Sequence, residues 1–408
     1  MAAGCRFCGT PLERVFVDLG MSPVANAYLK PERLHQMEPF YPLRVLVCEG
    51  CLLVQLEEFE SPEEIFSDYA YFSSYSSSWV DHCRRYVEMA VERFSLGGGS
   101  HVVEIASNDG YLLQWFGERG VPVLGVEPAA NVAETAREKG VETVVEFFGR
   151  ETAAKLAAGR QADLLIGNNV LAHVPDLNDF VAGMKALLAP GGTITMEFPH
   201  LLHLIEQGEW DTIYHEHFSY FSWTTAKRVF EHHGLRLYDV DELPTHGGSL
   251  RIYGCHADED FEQTAATAGL ERREAEAGID RMETYDAFER RVREHRWDIV
   301  EFVLAEKRRG ASIAAYGAAA KGNTLLNYTG IGRDILDYVA DLNPVKQGRF
   351  LPGTHVPVVS PDRIAETKPD LVLILPWNLR DEIAEQLSYV RDWGGRLAVP
   401  APEVRVLE

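Results

Sequence analysis

The chain has 408 residues and a formal net charge of −23, with 46% hydrophobic and 25% charged residues, ordinary proportions for a globular protein. That length exceeds one core, so two or three domains are expected, and so acidic a surface excludes nucleic acid or an anionic membrane as partner. No apolar run is long enough to span a bilayer, and Met1-Ala-Ala-Gly-Cys5 lacks the regions of a signal peptide, so a cytoplasmic location is expected.

Residues 1–75 read as a small loop-rich module. It carries two Cys-x-x-Cys pairs, Cys5/Cys8 and Cys48/Cys51. In a reducing compartment that spacing favours metal over disulfides, and four thiolates close a tetrahedral zinc shell with no open position, so the zinc is expected to be structural. Gly9 and Gly50 are placed where tight knuckle turns are expected. Cys83 and Cys255 stand alone and read as small buried hydrophobes.

Residues 76–255 follow a serine-rich change of texture at 73–78. A helix is expected from Ser78 to about Phe94, with Trp79, Cys83, Tyr86, Met89 and Val91 as its apolar positions. From His101 the pattern is strand, loop, helix, repeated. Apolar runs at 102–106, 121–126, 162–167 and 193–198 predict strands of a parallel sheet covered on both faces, the last entered through a Pro190-Gly-Gly192 turn.

Ligands of such sheets sit at the carboxyl ends of the strands. Glu104, Ala106, Ser107, Asn108 and Gly110 occupy that position after the first strand. Glu127-Pro128 ends the second, Phe147 offers an apolar wall, and Asn168-Asn169 ends the next strand. An acid at Glu127 can accept hydrogen bonds from both ribose hydroxyls of an adenosine. A dinucleotide fold wants a glycine-rich turn for its pyrophosphate, whereas this loop has one glycine and two acids, Glu104 and Asp109, which suit a sulfonium. The segment resembles a class I methyltransferase domain, which implies S-adenosylmethionine as cofactor.

Residues 256–408 open with a stretch, 258–310, rich in Glu, Arg and Ala. It predicts one or two helices whose charges are surface. A second α/β unit follows, with strands expected at 312–316, 336–340, 370–375 and 396–399. Lys321 lies in the turn Gly317-Ala-Ala-Ala-Lys-Gly-Asn323, whose backbone N–H groups suit a phosphate, and Arg251, Lys346 and Arg349 are further candidates for a diphosphate. Asn343, Pro376, Trp377 and Asn378 are candidates to meet a nucleobase, and His246-Gly-Gly-Ser249 to meet a sugar. The fold class is therefore α/β: a Rossmann-like methyltransferase domain between a zinc module and a second Rossmann-like unit.

The densest group of ionisable side chains is Tyr214-His-Glu-His217, framed by Trp210, Phe218, Tyr220 and Phe221. A metal site would need a third ligand, and none is adjacent. A solvent-facing polar turn, a base for O- or N-methylation and a base for carbon methylation all fit the residues alone.

Six segments, in order, resemble one known family, the sugar C-methyltransferases of deoxysugar biosynthesis. They are the cysteine module, Val103-Glu-Ile-Ala-Ser-Asn-Asp-Gly-Tyr111, Asn168-Asn-Val-Leu-Ala-His-Val-Pro175, Tyr214-His-Glu-His-Phe-Ser-Tyr220, Thr245-His-Gly-Gly-Ser-Leu-Arg251 and Tyr316-Gly-Ala-Ala-Ala-Lys-Gly-Asn323. The resemblance implies methylation of a nucleotide-linked 4-keto deoxysugar, with dTDP as carrier, C-3 preferred to C-5, and a monomeric enzyme of antibiotic biosynthesis. It implies His217 as general base, with Tyr214, Glu216 and His173 lining the pocket and one or more of Tyr69, Tyr71 and Tyr75 closing it. His246, Arg251, Lys321, Asn323, Asn343, Lys346, Arg349 and Trp377 are the expected substrate contacts. A carbon beside a keto group is roughly 12 pKa units less acidic than imidazolium, so transfer to histidine alone is about 16 kcal/mol uphill. Donors to the developing enolate oxygen are required, and Tyr214 or a protonated His173 is expected to serve, with Glu216 orienting His217. The rival expectations are a sugar O- or N-methyltransferase and a non-catalytic nucleotide-sugar-binding protein.

Overall fold

The computed structural model describes residues 4–59 and 73–407. Three sheets organise the chain. In the first, β1 (Arg14–Ser22), β2 (Tyr41–Val47) and β3 (Val54–Leu56) form an antiparallel meander. The second contains β4 (Val102–Ile105), β5 (Val123–Val126), β6 (Thr143–Val144), β7 (Ala162–Asn168), β8 (Leu188–Pro199), β10 (Leu235–Leu243) and β11 (Ser249–His256). Its order is β6-β5-β4-β7-β8-β11-β10, parallel except that β11 runs against both neighbours.

The remaining short strand, β9 (Ser219–Tyr220), leaves that sheet and pairs with β3. The zinc module's sheet is therefore completed by the segment directly after Tyr214-His-Glu-His217. The third sheet contains β12 (Ile313–Tyr316), β13 (Val339–Ala340), β14 (Val358–Val359), β15 (Leu371–Ile374), β16 (Arg396–Val399) and β17 (Arg405–Leu407), in the order β14-β13-β12-β15-β16-β17 with β17 alone antiparallel.

Central strands β4, β12 and β15 are buried at every position, as doubly covered parallel sheets require, although β4 carries the acid Glu104 within its apolar run. The helix Ser77–Arg93 starts where the Ser76 side chain accepts the Trp79 N–H. Its buried stripe is Cys83, Tyr86, Val87 and Ala90, so Met89 and Val91 lie at the margin. Pro190-Gly-Gly192 is a bulge inside β8, the partners of Ala162 and Leu164 being Leu188 and Thr193.

The charged stretch after residue 258 forms two helices, Ala265–Ala277 and Met282–Arg308, and its charges are not all surface. Glu274 is buried, takes the His200 Nε2–H at 2.7 Å, and accepts the N–H groups of Trp223 and Thr224. Tyr285, Phe288, Val292, Ile299 and Val303 form a buried stripe at helical spacing, and Phe288 stacks on Phe16 of β1 at 4.7 Å. That helix joins the zinc module's sheet and the third sheet in one core. Among the described residues no helix is long and apolar enough to cross a membrane.

Candidate active site

The four cysteine sulfurs converge. Cys5 and Cys51 are 3.5 Å apart, as are Cys8 and Cys48, and all four lie within 4.8 Å of one another. Tetrahedral zinc with bonds of about 2.3 Å needs sulfurs about 3.8 Å apart, so the set fits the ion. Gly9 takes the left-handed conformation in the first knuckle, but in the second it is Leu52, at φ 69°, that does so. Gly50 is required by space instead: a Cβ there would lie 2.8 Å from Thr10 Oγ1.

The cofactor crevice lies at the carboxyl ends of β4, β5 and β7. Its loop is held by left-handed residues Ala106, Asn108 and Gly110. The Glu127 carboxylate accepts the N–H groups of Asn108 at 3.0 Å and Ala129 at 2.9 Å, one on each oxygen. A carboxylate has about four acceptor positions, so two remain for a diol. Glu104 is fully buried and neither of its oxygens meets a donor at full hydrogen-bond geometry. Burial pushes its pKa well up, with the Tyr111 hydroxyl opposing and Glu127 and Asp109 adding to the rise. Asp109 is already paired with the Lys139 ammonium at 2.9 Å; the acceptors of Glu104 and Glu127 still open in the crevice suit the amino, sulfonium and ribose groups of S-adenosylmethionine. Phe147, in the loop after β6, is 40% exposed, and Pro128 follows Glu127.

His217 and His173 meet edge to face with ring centroids 4.8 Å apart, and the Tyr214 ring is 4.0 Å from that of His217. The His217 Nδ1 donates to the Thr212 carbonyl at 3.0 Å, and the His173 Nδ1 donates to the Glu216 carbonyl at 2.7 Å. A carbonyl only accepts, so in both neutral rings the lone pair is on Nε2. Burial, then His173, His246 and Lys321, hold the His217 pKa well below that of free histidine against the opposing Thr212 carbonyl. Burial brings His173 down to about 4, so a protonated His173 is not the donor expected above.

Glu216 also departs from expectation. Its carboxylate accepts Asn26 Nδ2 at 2.7 Å, and the Thr212 carbonyl takes the place of orienting partner to His217. His215 turns away and packs against Tyr41 and Phe59.

His246 lies in the short turn Thr245–Gly247 and pairs with Asn169 Nδ2 at 2.9 Å. Trp79, from the helix Ser77–Arg93, packs 5.4 Å from His246 and 5.1 Å from His82. Gly247 permits a close approach: a Cβ there would fall 2.5 Å from Glu209 Oε1 and 2.8 Å from the Trp377 ring. From the other side Lys321 reaches in, donating to Asn378 Oδ1 at 2.7 Å and lying 4.5 Å over Trp377. The Trp377 Nε1–H bonds Asp211 at 2.8 Å. Burial and then Asp211 raise Glu209 to about 7, and burial raises Asp211 to about 6, Lys321 opposing both. Glu209, Asp211 and Thr212 carry no motif in the sequence; the approach of Asp211 to Trp377, and of Glu209 and Asp211 to Lys321, is wholly tertiary.

Two expected substrate contacts are engaged elsewhere. The Arg251 guanidinium, 5% exposed, bonds Glu197 at 2.6 Å and lies over Tyr86. Buried Glu197 needs that countercharge: although burial opposes it, His82 and Arg251 bring its pKa down to about 2. Asn323 is 1% exposed and donates to the Ala25 carbonyl, tying the zinc module to the third sheet. Lys346 reaches the Ala318 carbonyl at 2.7 Å, its N–H bonds the Asn343 carbonyl, and the Arg349 N–H bonds its own carbonyl, in and after the turn that follows β13. Tyr69 and Tyr71 lie outside the described residues, as does the side chain of Tyr75.

Three family profiles match in order: a zinc binding domain at residues 5–66, a methyltransferase domain at 79–240 and a C-methyltransferase C-terminal domain at 244–402. The C-methyltransferase NovU of Streptomyces niveus is 38% identical over 407 residues, 99% of this chain and 96% of that protein. A ubiquinone biosynthesis O-methyltransferase of Bordetella avium is 30% identical over 99 residues, 24% of this chain and 41% of its own. Among solved structures, the PH0226 protein of Pyrococcus horikoshii is similar over 48% of this chain and 99% of that one, at 14% identity and a TM-score of 0.37. With a relative matched along nearly its whole length and all three profiles in place, the chain belongs to the family of S-adenosylmethionine-dependent, zinc-binding C-methyltransferases.

Proposed function

We propose that the acceptor is a nucleotide-linked 4-keto deoxysugar, carried by dTDP, and that the carbon methylated is C-3. We read the enzyme as monomeric and cytoplasmic, serving antibiotic biosynthesis, with its three parts divided near residues 75 and 255. The observation that carries the reading is a neutral histidine base, His217, desolvated by burial, whose Nδ1 proton is held by the Thr212 carbonyl so that the lone pair is on Nε2.

S-adenosylmethionine supplies an electrophilic methyl group; the chain's residues must supply a carbon nucleophile. His217 Nε2 takes the proton from the carbon beside the keto group. The electron pair of that C–H bond moves into the enolate, whose oxygen needs stabilisation that a weak base cannot give. We assign the hydroxyl of Tyr214, whose ring lies 4.0 Å from that of His217, as the donor, and the Lys321 ammonium, whose charge His217 feels, as added positive charge. Asn169 and His246 bring the two halves of the crevice within reach of each other. Lys321 and Lys346 are the basic groups we assign to the diphosphate, with Arg349 beside them; Asn343, Trp377 and Asn378 are the residues we place around the nucleoside.

Methyl-labelled S-adenosylmethionine, incubated with a panel of nucleotide-linked 4-keto sugars, tests the proposal. Label is expected on C-3 of a dTDP-linked member. Label on oxygen or nitrogen, or transfer only to acceptors that carry no nucleotide, would overturn it.

A further inference from the structure

A cluster of metal-ligating side chains lies apart from both the four cysteines and the reacting groups. His200 follows β8, His203 is on the helix Leu201–Gln207, and Glu242 is near the end of β10. The two histidines are three positions apart, so their imidazoles share a face, with ring centroids 5.6 Å apart. One ligand atom of each of the three residues lies within 4.8 Å of the other two.

Hydrogen bonds decide which nitrogens can bind. Besides the His200 Nε2–H, Glu274 accepts the N–H groups of Trp223 and Thr224 and the Thr224 hydroxyl, which fills its roughly four acceptor positions. The lone pair of the neutral His200 ring is therefore on Nδ1. That atom is buried in a residue 1% exposed, and no hydrogen-bond donor meets it. A buried polar atom without a partner is costly, and a carboxylate on a histidine's other nitrogen is the usual support of a metal-ligating imidazole. In His203 the Nδ1 edge packs on Gly248, where a Cβ would fall 2.8 Å from Nδ1. Its Nε2 faces Arg273 Nη2 at 3.4 Å, and a guanidinium only donates, so the lone pair is on Nε2. Glu242 Oε2 is 3.5 Å from that nitrogen, against about 3.4 Å between neighbouring ligands of tetrahedral zinc. Glu242 also borders a cleft of about 540 Å³ between β10 and the helix Ala265–Ala277, a route by which an ion can reach it.

We infer that His200 Nδ1, His203 Nε2 and Glu242 form a second zinc site, with its fourth position open to water. Two imidazoles and one carboxylate suit zinc and exclude magnesium and calcium, which take oxygen ligands. Arg273 is the competitor: it pairs with Glu242 and also with Glu206 at 3.1 Å. An arriving ion takes Glu242 from Arg273 and leaves it Glu206.

The test is titration of the full-length protein, already carrying one zinc per chain, with zinc chloride, read by calorimetry and by native mass spectrometry. A second zinc is expected to bind, and magnesium chloride is expected to give no binding. His203→Gln and Glu242→Gln are each expected to weaken the second zinc at least about tenfold. Both are expected to keep their affinity for S-adenosylmethionine, which reports an intact fold. Arg273→Gln is expected to tighten the second zinc about two- to fivefold, the worth of an exposed ion pair that competes for Glu242. Absence of a second zinc at millimolar metal overturns the inference, as does a second zinc that either glutamine variant of the ligands keeps at full affinity. A gain of affinity cannot come from a damaged fold, so unchanged or weaker binding by Arg273→Gln overturns it too.

Discussion

The Nδ1 atom of His217 lies 3.0 Å from the carbonyl oxygen of Thr212. This contact decides which nitrogen is basic, because a carbonyl cannot donate and Nδ1 must therefore carry the proton. Thr212 ends the turn Trp210–Thr212, and the neighbouring Asp211 is gripped by Trp377 from the turn after β15. The third sheet thus helps to hold the tautomer of a base carried by the middle of the chain.

Replacing that base isolates its contribution. His217→Asn is expected to lower methyl transfer by about 10²- to 10⁴-fold, the usual worth of a positioned general base. Affinity for S-adenosylmethionine, measured by calorimetry, is expected to stay within twofold, since the crevice around Glu127 is built from other strands.

Glu127 makes the complementary case. Glu127→Ala removes a charged acceptor from the crevice, and hydrogen bonds to charged groups are worth about 1.5–3 kcal/mol. Affinity for S-adenosylmethionine is expected to fall about 10- to 100-fold in calorimetry. Unchanged affinity would place the ribose elsewhere.

The pairing of β3 with β9 gives the zinc module a consequence for catalysis. Cys48→Ser, or chelation, is expected to lower the unfolding temperature and the zinc content. It is also expected to lower kcat at least tenfold, because β9 begins two residues after His217. A zinc-free protein with full kcat would separate the two.

Glu209 provides a pH test. Its folded pKa is raised to about 7 from an ordinary 4.5 by burial and then Asp211, with Lys321 opposing. Between those values the unfolded chain has released a proton that the native protein keeps, so rising pH favours unfolding. Above about 7 both forms are ionised and the loss is complete, with an upper limit of about 3 kcal/mol. Glu209→Gln has no such loss. The unfolding temperature of the variant relative to the parent is expected to rise between pH 4.5 and 7 and then level off, whereas a flat difference would contradict the buried, proton-holding carboxyl.

What was legible in the sequence is what lies close along the chain. The two cysteine pairs announce their ion by spacing, and in a parallel sheet the loops after adjacent strands converge, so 104–110 and Glu127 read together. The strands of the third sheet were legible as apolar runs, though 336–340 shortened to Val339–Ala340. What was not legible needed partners far away: Asp211 and Trp377 are separated by 166 positions, Asn26 and Glu216 by 190. Arg251 looked like a phosphate ligand because no pattern marks Glu197 as a buried carboxylate in want of a cation. Glu216 looked like the orienter of His217 because it is adjacent, while the actual orienter is a backbone carbonyl that no sequence pattern displays.

The claim at the centre of the account is that His217 removes a proton from carbon. Solvent deuterium exchange into a dTDP-linked 4-keto deoxysugar, with S-adenosylhomocysteine present so that no methyl can move, measures that step alone. Deuterium is expected at the carbon beside the keto group with the unmodified enzyme, and its incorporation is expected to fall to the enzyme-free rate with His217→Asn. Exchange that proceeds equally in both proteins would contradict the account.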